Sequence, residues 1–261
     1  MDIKQFMKAK DEKPLDNLVS DGGFCSILRT IACIGDSLAS GEFEIIDADG
    51  KRHAEDMYDY SWGQFLARMA GCRVYNFSKG GMTAKEYCQG FAQDNGFWDK
   101  DKLAQGYIIA MGLNDIVGQK QEVGSIEDIC LTDYKKNNET YAGYYGQIVQ
   151  RIKEINPDAR FFFVTFPKSG DVDFDRIALM QSTLMNDMAK LFEHAYVIDL
   201  YKYGPEYNDE FKEQFYLEHH MNPCGYILTA KMFVSYIDYI IRHNIDDFKA
   251  IGYCQRGLNF T

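Results

Sequence analysis

Five short apolar runs, each followed by a stretch patterned for helix, constrain this chain more than any other feature. They are Thr30–Gly35, Arg73–Phe77, Tyr107–Gly112, Arg160–Phe166 and Ala195–Leu200. Each is about six residues long and rich in Val, Ile, Phe or Tyr, the pattern of parallel strands buried on both faces. Between them, Ser61-Trp62-Gly63-Gln64 and Thr83-Ala84-Lys85-Glu86 read as capping boxes, and Gly71 closes the first of these helices. Tyr141, Tyr145, Ile148, Ile152 and Ile155 form an apolar stripe stopped by Asn156-Pro157; Ile177, Met180, Leu184, Met188 and Leu191 form another. A last helix starts at Asn222 as N-cap, has Pro223 at its first position and runs towards His243. Strand–helix alternation without internal repeats gives an α/β fold: a doubly wound, five-stranded parallel sheet in three layers. One domain over 30–243 is expected, with an N-terminal extension (1–29) packing on it or on a second subunit, and a C-terminal tail (244–261). Two connections, Ala39 to Tyr60 and Leu113 to Thr140, are too long for simple crossovers and are expected to rim or cover a site.

Composition narrows the function classes. At 261 residues and 46% hydrophobic, the chain can bury a sizeable core. No apolar stretch approaches the roughly 18 residues that suggest a membrane span. The net charge of −11 with scattered basic residues argues against nucleic acid or an anionic membrane as partner. The first residues, Met1-Asp2-Ile3-Lys4, are polar, and the seven cysteines contain no C-x-x-C pair. A cytoplasmic protein with reduced thiols is the expectation. A homo-oligomer is left open.

The chemistry gathers at the strand ends. The first run ends in Gly35-Asp36-Ser37-Leu38, the second in Asn76-Phe77-Ser78-Lys79-Gly80-Gly81, and the third in Gly112-Leu113-Asn114-Asp115. After the fifth comes a longer segment ending in His220-Met221-Asn222-Pro223. All lie at the carboxyl edge of a parallel sheet, where open α/β sheets hold their ligands. A serine nucleophile needs a base, and a neutral imidazole serves near pH 7. His220 fits that role, being held by the helix start that follows. A tetrahedral oxyanion needs fixed donors, and the Ser37 N–H, the Gly81 N–H and the Asn114 amide supply three. Asp36 is expected to bond backbone around the nucleophile turn, and Asp115 to order the loop that carries Asn114. His219 points away if His220 points in. Consecutive histidines without suitable companions are poor metal ligands, so no metal is assigned.

These blocks resemble the SGNH (GDSL) hydrolase family. The match is Ile34-Gly35-Asp36-Ser37-Leu38, then Asn76 and Gly81, then Gly112-x-Asn114-Asp115, then His220 before Gly225-Tyr226. The resemblance implies a flavodoxin-like sheet in strand order 2-1-3-4-5, and esterase or lipase-type activity on a small-molecule ester without metal or organic cofactor. It also exposes a departure: many members carry an Asp three residues before the histidine, where this chain has Leu217. A main-chain carbonyl, Glu218, or another carboxylate such as Asp199 are the alternatives for orienting His220, as is no support at all. The substrate expectation is a short acyl group, acetyl, on a carbohydrate or other polar alcohol, with Trp62 and Trp98 as stacking surfaces. The acidic stretch Glu42, Glu44, Asp47, Asp49, Glu55 and Asp56 disfavours anionic substrates if it rims the mouth. The rival reading is a binding protein that lost turnover with the missing Asp.

Overall fold

The computed structural model describes residues 11–256. Its sheet is built from β1 (Thr30–Gly35), β4 (Arg73–Ser78), β5 (Gly106–Ala110), β6 (Arg160–Val164) and β7 (Ala195–Ile198), in the order β4-β1-β5-β6-β7. All four pairings are parallel. In sequence terms this is 2-1-3-4-5, the order the family resemblance implies. Three strands end earlier than their apolar runs, because those runs continue as core residues of the following loops. Leu200, for example, opens a helical turn in which Asp199 Oδ1 accepts from Lys202 N at 3.1 Å.

Successive residues of the strands face opposite layers. Ile31, Cys33, Ile108, Phe162 and Ile198 point to one core, which α1 (Trp62–Ala70) and the long C-terminal helix (Pro223–His243) cover. Ala32, Ile34, Ile109, Phe161 and Phe163 point to the other, under α2 (Tyr141–Ile155) and α3 (Val172–Leu191). With a short helix α4 (Asp209–Phe215) between, the C-terminal helix is α5. By length and composition α5 is apolar enough to cross a membrane, but most of it is buried inside the fold. The Thr83–Glu86 capping box is complete. That at Ser61 is half-formed: Ser61 Oγ accepts from Gln64 N, while the Gln64 side chain reaches Val74 O.

The flanking segments lie against α5 and the sheet. Phe24 N donates to Asp238 Oδ1 (2.7 Å) and Val19 N to Ser235 Oγ (2.9 Å), while Arg242 makes two hydrogen bonds to Glu12 at 2.8 Å. Beyond α5, Phe248, Ile251 and Cys254 are buried.

The connection after β1 is a hairpin, where a loop was expected. β2 (Glu42–Ile46) pairs antiparallel with β3 (Arg52–Asp56), Glu44 opposite Ala54. Its turn is locally determined: Asp47 Oδ1 accepts from Asp49 N and Lys51 N, and Gly50 takes φ +77°. The hairpin is docked by Phe43, whose ring lies 5.6 Å from Tyr226, and by the Tyr226 hydroxyl, which donates to Glu42 O at 2.7 Å. It therefore leans over the carboxyl edge of the sheet, beside the start of α5.

Candidate active site

The nucleophile turn follows from crowding at the end of β1. A Cβ on Gly35 would stand 2.5 Å from Ala110 O and 2.6 Å from Ala39 Cβ, so only glycine lets the chain pass. Asp36 then caps a single helical turn, Ser37–Ser40, its Oδ1 accepting from Leu38 N at 3.2 Å. This is the backbone role expected of it, and burial pushes its carboxyl up to about 7. Ser37 thus stands at the first position of a helical turn, its Oγ without a hydrogen bond among the described residues.

Two loops meet beside it. Gly81 sits at φ +74°, which glycine takes without strain. Asn114 Nδ2 donates to Met82 O (3.2 Å), and Asp115 Oδ1 accepts from Ala84 N (2.8 Å), so the Gly81 loop is tied to the Asn114 loop. Asp115 is fully buried, and desolvation raises its carboxyl to about 6. Gly80 N donates to Asp56 Oδ2 (3.2 Å), and Asp56 Oδ1 accepts from Ser40 Oγ, which ties the same loop to the hairpin. Ser37, Asn114 and His220 line one crevice; Gly81 lies outside that lining and is exposed.

His220 is delivered by a second, two-residue hairpin. β8 (Tyr216–Leu217) pairs with β9 (His220–Met221), with Glu218 at φ +49° and His219 in the turn. Asn222 N donates to Phe215 O at 2.9 Å, and Asn222 Oδ1 accepts from Gly225 N at 2.9 Å, fixing the step into α5.

What faces the ring was not anticipated. Glu44 Oε2 lies 3.0 Å from His220 Nδ1, and Glu42 Oε1 lies 3.5 Å from Nε2. A carboxylate only accepts, and the contact that is a hydrogen bond is Glu44 on Nδ1, so the proton of a neutral ring belongs there and the lone pair on Nε2. Glu44 is 2% exposed and is gripped by Arg52, whose Nε and Nη2 donate to Oε1 and Oε2 at 2.6 and 2.9 Å. The Arg52 guanidinium holds the Glu44 carboxyl below the usual range. Glu218 is corrected as a support: it is exposed in the tight turn and makes no hydrogen bond to His220. Leu217 pairs directly opposite His220. Asp199 is occupied by Thr165, Ser182 and Asn186.

The sequence did carry a signal for the hairpin that bears Glu44, though not for the partner Glu44 meets. Glu42-Phe43-Glu44-Ile45, a turn at Asp47-Ala48-Asp49-Gly50, and Arg52-His53-Ala54-Glu55 make a hairpin pattern with alternating faces. The tryptophans do not make a stacking pair. Trp62 is buried edge-on to Phe233 (4.8 Å), and Trp98 lies in the other layer, where Arg151 covers its ring at 4.2 Å.

The sequence from residue 33 to 228 matches the model of the GDSL-like lipase/acylhydrolase family. Comparison with curated proteins gave no match. Among solved structures, the chain is similar to a family two carbohydrate esterase from Clostridium thermocellum in complex with cellohexaose. That pair aligns with TM-score 0.53 and 15% identity over 84% of this chain and 65% of the other. It is similar also to the family 3 carbohydrate esterase of Clostridium thermocellum, with TM-score 0.53 and 15% identity over 82% of this chain and 97% of that one. A family two carbohydrate esterase with a carbohydrate-binding domain from Corynascus thermopiles gives TM-score 0.55 and 15% identity, over 80% of this chain and 65% of that one. At these identities the likeness is one of fold.

Proposed function

The chain belongs to the GDSL-like lipase/acylhydrolase family and is an ester hydrolase of the SGNH type, and from that premise we propose that it works through a Ser37–His220–Glu44 triad. One observation carries the reading: Ser37, Asn114 and His220 line a single crevice while His220 Nδ1 lies 3.0 Å from a buried carboxylate.

In the proposed cycle His220 Nε2 takes the Ser37 proton as Oγ attacks the ester carbonyl. Glu44 keeps the other ring proton on Nδ1 and stabilises the imidazolium, the work done by the acid of a catalytic triad. Negative charge on the carbonyl oxygen meets the Ser37 N–H and the Asn114 amide, which belong to residues of the crevice lining. Collapse breaks the C–O bond, and the alcohol leaves with the proton from Nε2. Water, deprotonated in turn by His220, then cleaves the Ser37 ester and releases the acid. Serine and imidazole are not hydrogen-bonded here, and such contacts often tighten only when substrate binds.

Glu44 removes the motive for the binding-protein rival, which rested on the absent Asp at Leu217. For the alcohol half, a carbohydrate or other polar alcohol is proposed, supported by the polar and charged rim at Asp171, Lys212 and His219. Glu42 and Asp56 at the hairpin base add negative charge near the Gly80 backbone, which favours uncharged substrates over anionic ones. The test is steady-state hydrolysis of neutral acylated sugars and p-nitrophenyl esters by wild type and Ser37→Ala. Turnover by wild type alone supports the reading; equal rates, or none in either, count against it.

A further inference from the structure

Glu42 and Glu44 stand two positions apart on β2, so their side chains leave the strand on the same face. Both reach the ring of His220, but on different terms. Glu44 is 2% exposed, faces Nδ1 in a hydrogen bond and is gripped by Arg52. Glu42 is 16% exposed, and its Oε1 lies 3.5 Å from Nε2, within ion-pair range but without a hydrogen bond. Among the described residues no donor is hydrogen-bonded to the Glu42 carboxylate, and no lysine or arginine pairs with it. Its position is nonetheless fixed. Glu42 pairs with Asp56 across the hairpin, its carbonyl accepts from the Tyr226 hydroxyl at 2.7 Å, and a Cβ on Gly80 would collide with its Oε2. A carboxylate with open lone pairs therefore stands between His220 Nε2 and the Gly80 backbone. The crevice lining includes His220 but not Glu42, so this carboxylate meets the part of a substrate that projects past the ring.

That part is set by the direction of proton transfer. Nε2 hands its proton to the leaving alcohol oxygen, which must then lie about 3 Å from the nitrogen. A substituent on the next carbon of the alcohol falls within reach of a carboxylate 3.5 Å from the same nitrogen. A carboxylate only accepts, so it rewards a hydroxyl there and offers nothing to an ether or a methyl group. We infer that Glu42 is a specificity-determining residue for the alcohol half, accepting a hydrogen bond from a hydroxyl vicinal to the ester oxygen. The substrate class is then the monoesters of vicinal diols, such as those of a sugar ring or a glycerol unit. This rests on the ester hydrolase reading above and narrows its polar alcohol. No atom of Glu42 enters the reaction. The acyl carbon passes from the alcohol oxygen to Ser37 Oγ, the alcohol leaves with the Nε2 proton, and the vicinal hydroxyl keeps its own.

The experiment uses the intact protein with 2-hydroxyethyl acetate and 2-methoxyethyl acetate, the second keeping the oxygen but lacking the donor. Wild type is expected to prefer the hydroxyethyl ester about tenfold in kcat/KM, as a hydrogen bond to a charged group gives. Glu42→Leu is expected to bring that ratio to about one. Glu42→Gln is expected to keep about threefold, because its amide oxygen still accepts. Melting curves confirm that both variants fold. A ratio near one in wild type overturns the inference. So does the wild-type ratio surviving in folded Glu42→Leu, even with both rates reduced, since Glu42 then acts only through His220. Failure of the underlying reading looks different: wild type cleaves neither ester, and a fluorophosphonate leaves Ser37 unlabelled.

Discussion

Glu44 is the residue on which this site turns. It lies 176 positions from His220 in sequence yet supplies the acid that faces Nδ1. Substituting Glu44→Gln removes the charge and admits the wrong tautomer, and is expected to lower kcat by about 10²–10⁴ while moving KM little. Glu44→Asp is expected to recover part of that loss. Separate kcat and KM measurements check both, because a residue that merely propped the hairpin would change stability and KM together. Asn114→Ala is expected to cost about 10²–10³ in kcat through loss of an oxyanion donor. Ser37, Asn114 and His220 were legible in the sequence because each stands at a fixed offset from a strand end or helix start. Glu44 was not, because its partner is set by tertiary packing of a hairpin rather than by local spacing, and the family's own position for the acid holds Leu217.

At the scale of elements, the β2–β3 hairpin is the part of the fold that sequence reading missed. Half of its strand positions carry charged residues, so no long apolar run marks them, and the alternation is visible only when both arms are aligned across the Asp47–Gly50 turn. The three central strands, β1, β5 and β6, were legible for the opposite reason: both faces are buried and their apolar runs nearly unbroken, while the edge strands β4 and β7 are partly buried and were marked by their Val, Phe, Tyr and Ile. Arg52 is the hairpin's anchor on Glu44 and is itself 61% exposed, so solvent screens its side of the ion pair. Arg52→Ala leaves the buried Glu44 carboxylate with His220 as its remaining side-chain partner, and is expected to lower the melting temperature and to lower kcat, though kcat less than Glu44→Gln does. Gly35→Ala is the contrasting case. The added methyl meets Ala110 O and the Ala39 methyl, and overpacking at such a site is expected to cost about 1–3 kcal/mol or more by denaturant unfolding.

For the whole molecule, the site imposes a pH signature on stability. Burial holds Asp36 at about 7 and Asp115 at about 6, against 3.8 for an ordinary Asp carboxyl. Between about pH 4 and pH 7 the folded chain keeps protons that the unfolded chain has released, so these two groups make stability fall as pH rises. Glu44 acts with the opposite sign, because its carboxyl is lowered in the fold and its contribution is lost as pH falls. The Asp36→Asn variant keeps an acceptor for Leu38 N but cannot ionise. Its melting temperature relative to wild type is expected to climb from about pH 4 to pH 7, and a constant difference across that range would remove the buried-carboxylate explanation. The same arrangement, two buried acids behind the nucleophile and an acidic hairpin before it, leaves Ser37 and His220 as the reacting pair. The most direct measurement is therefore intact-mass analysis after fluorophosphonate treatment, with the adduct mapped by peptide sequencing in wild type, Ser37→Ala and Glu44→Gln. The account requires a single adduct on Ser37, none in Ser37→Ala, and the same adduct formed more slowly in Glu44→Gln. An adduct on another residue, or equal labelling rates in wild type and Glu44→Gln, contradicts it.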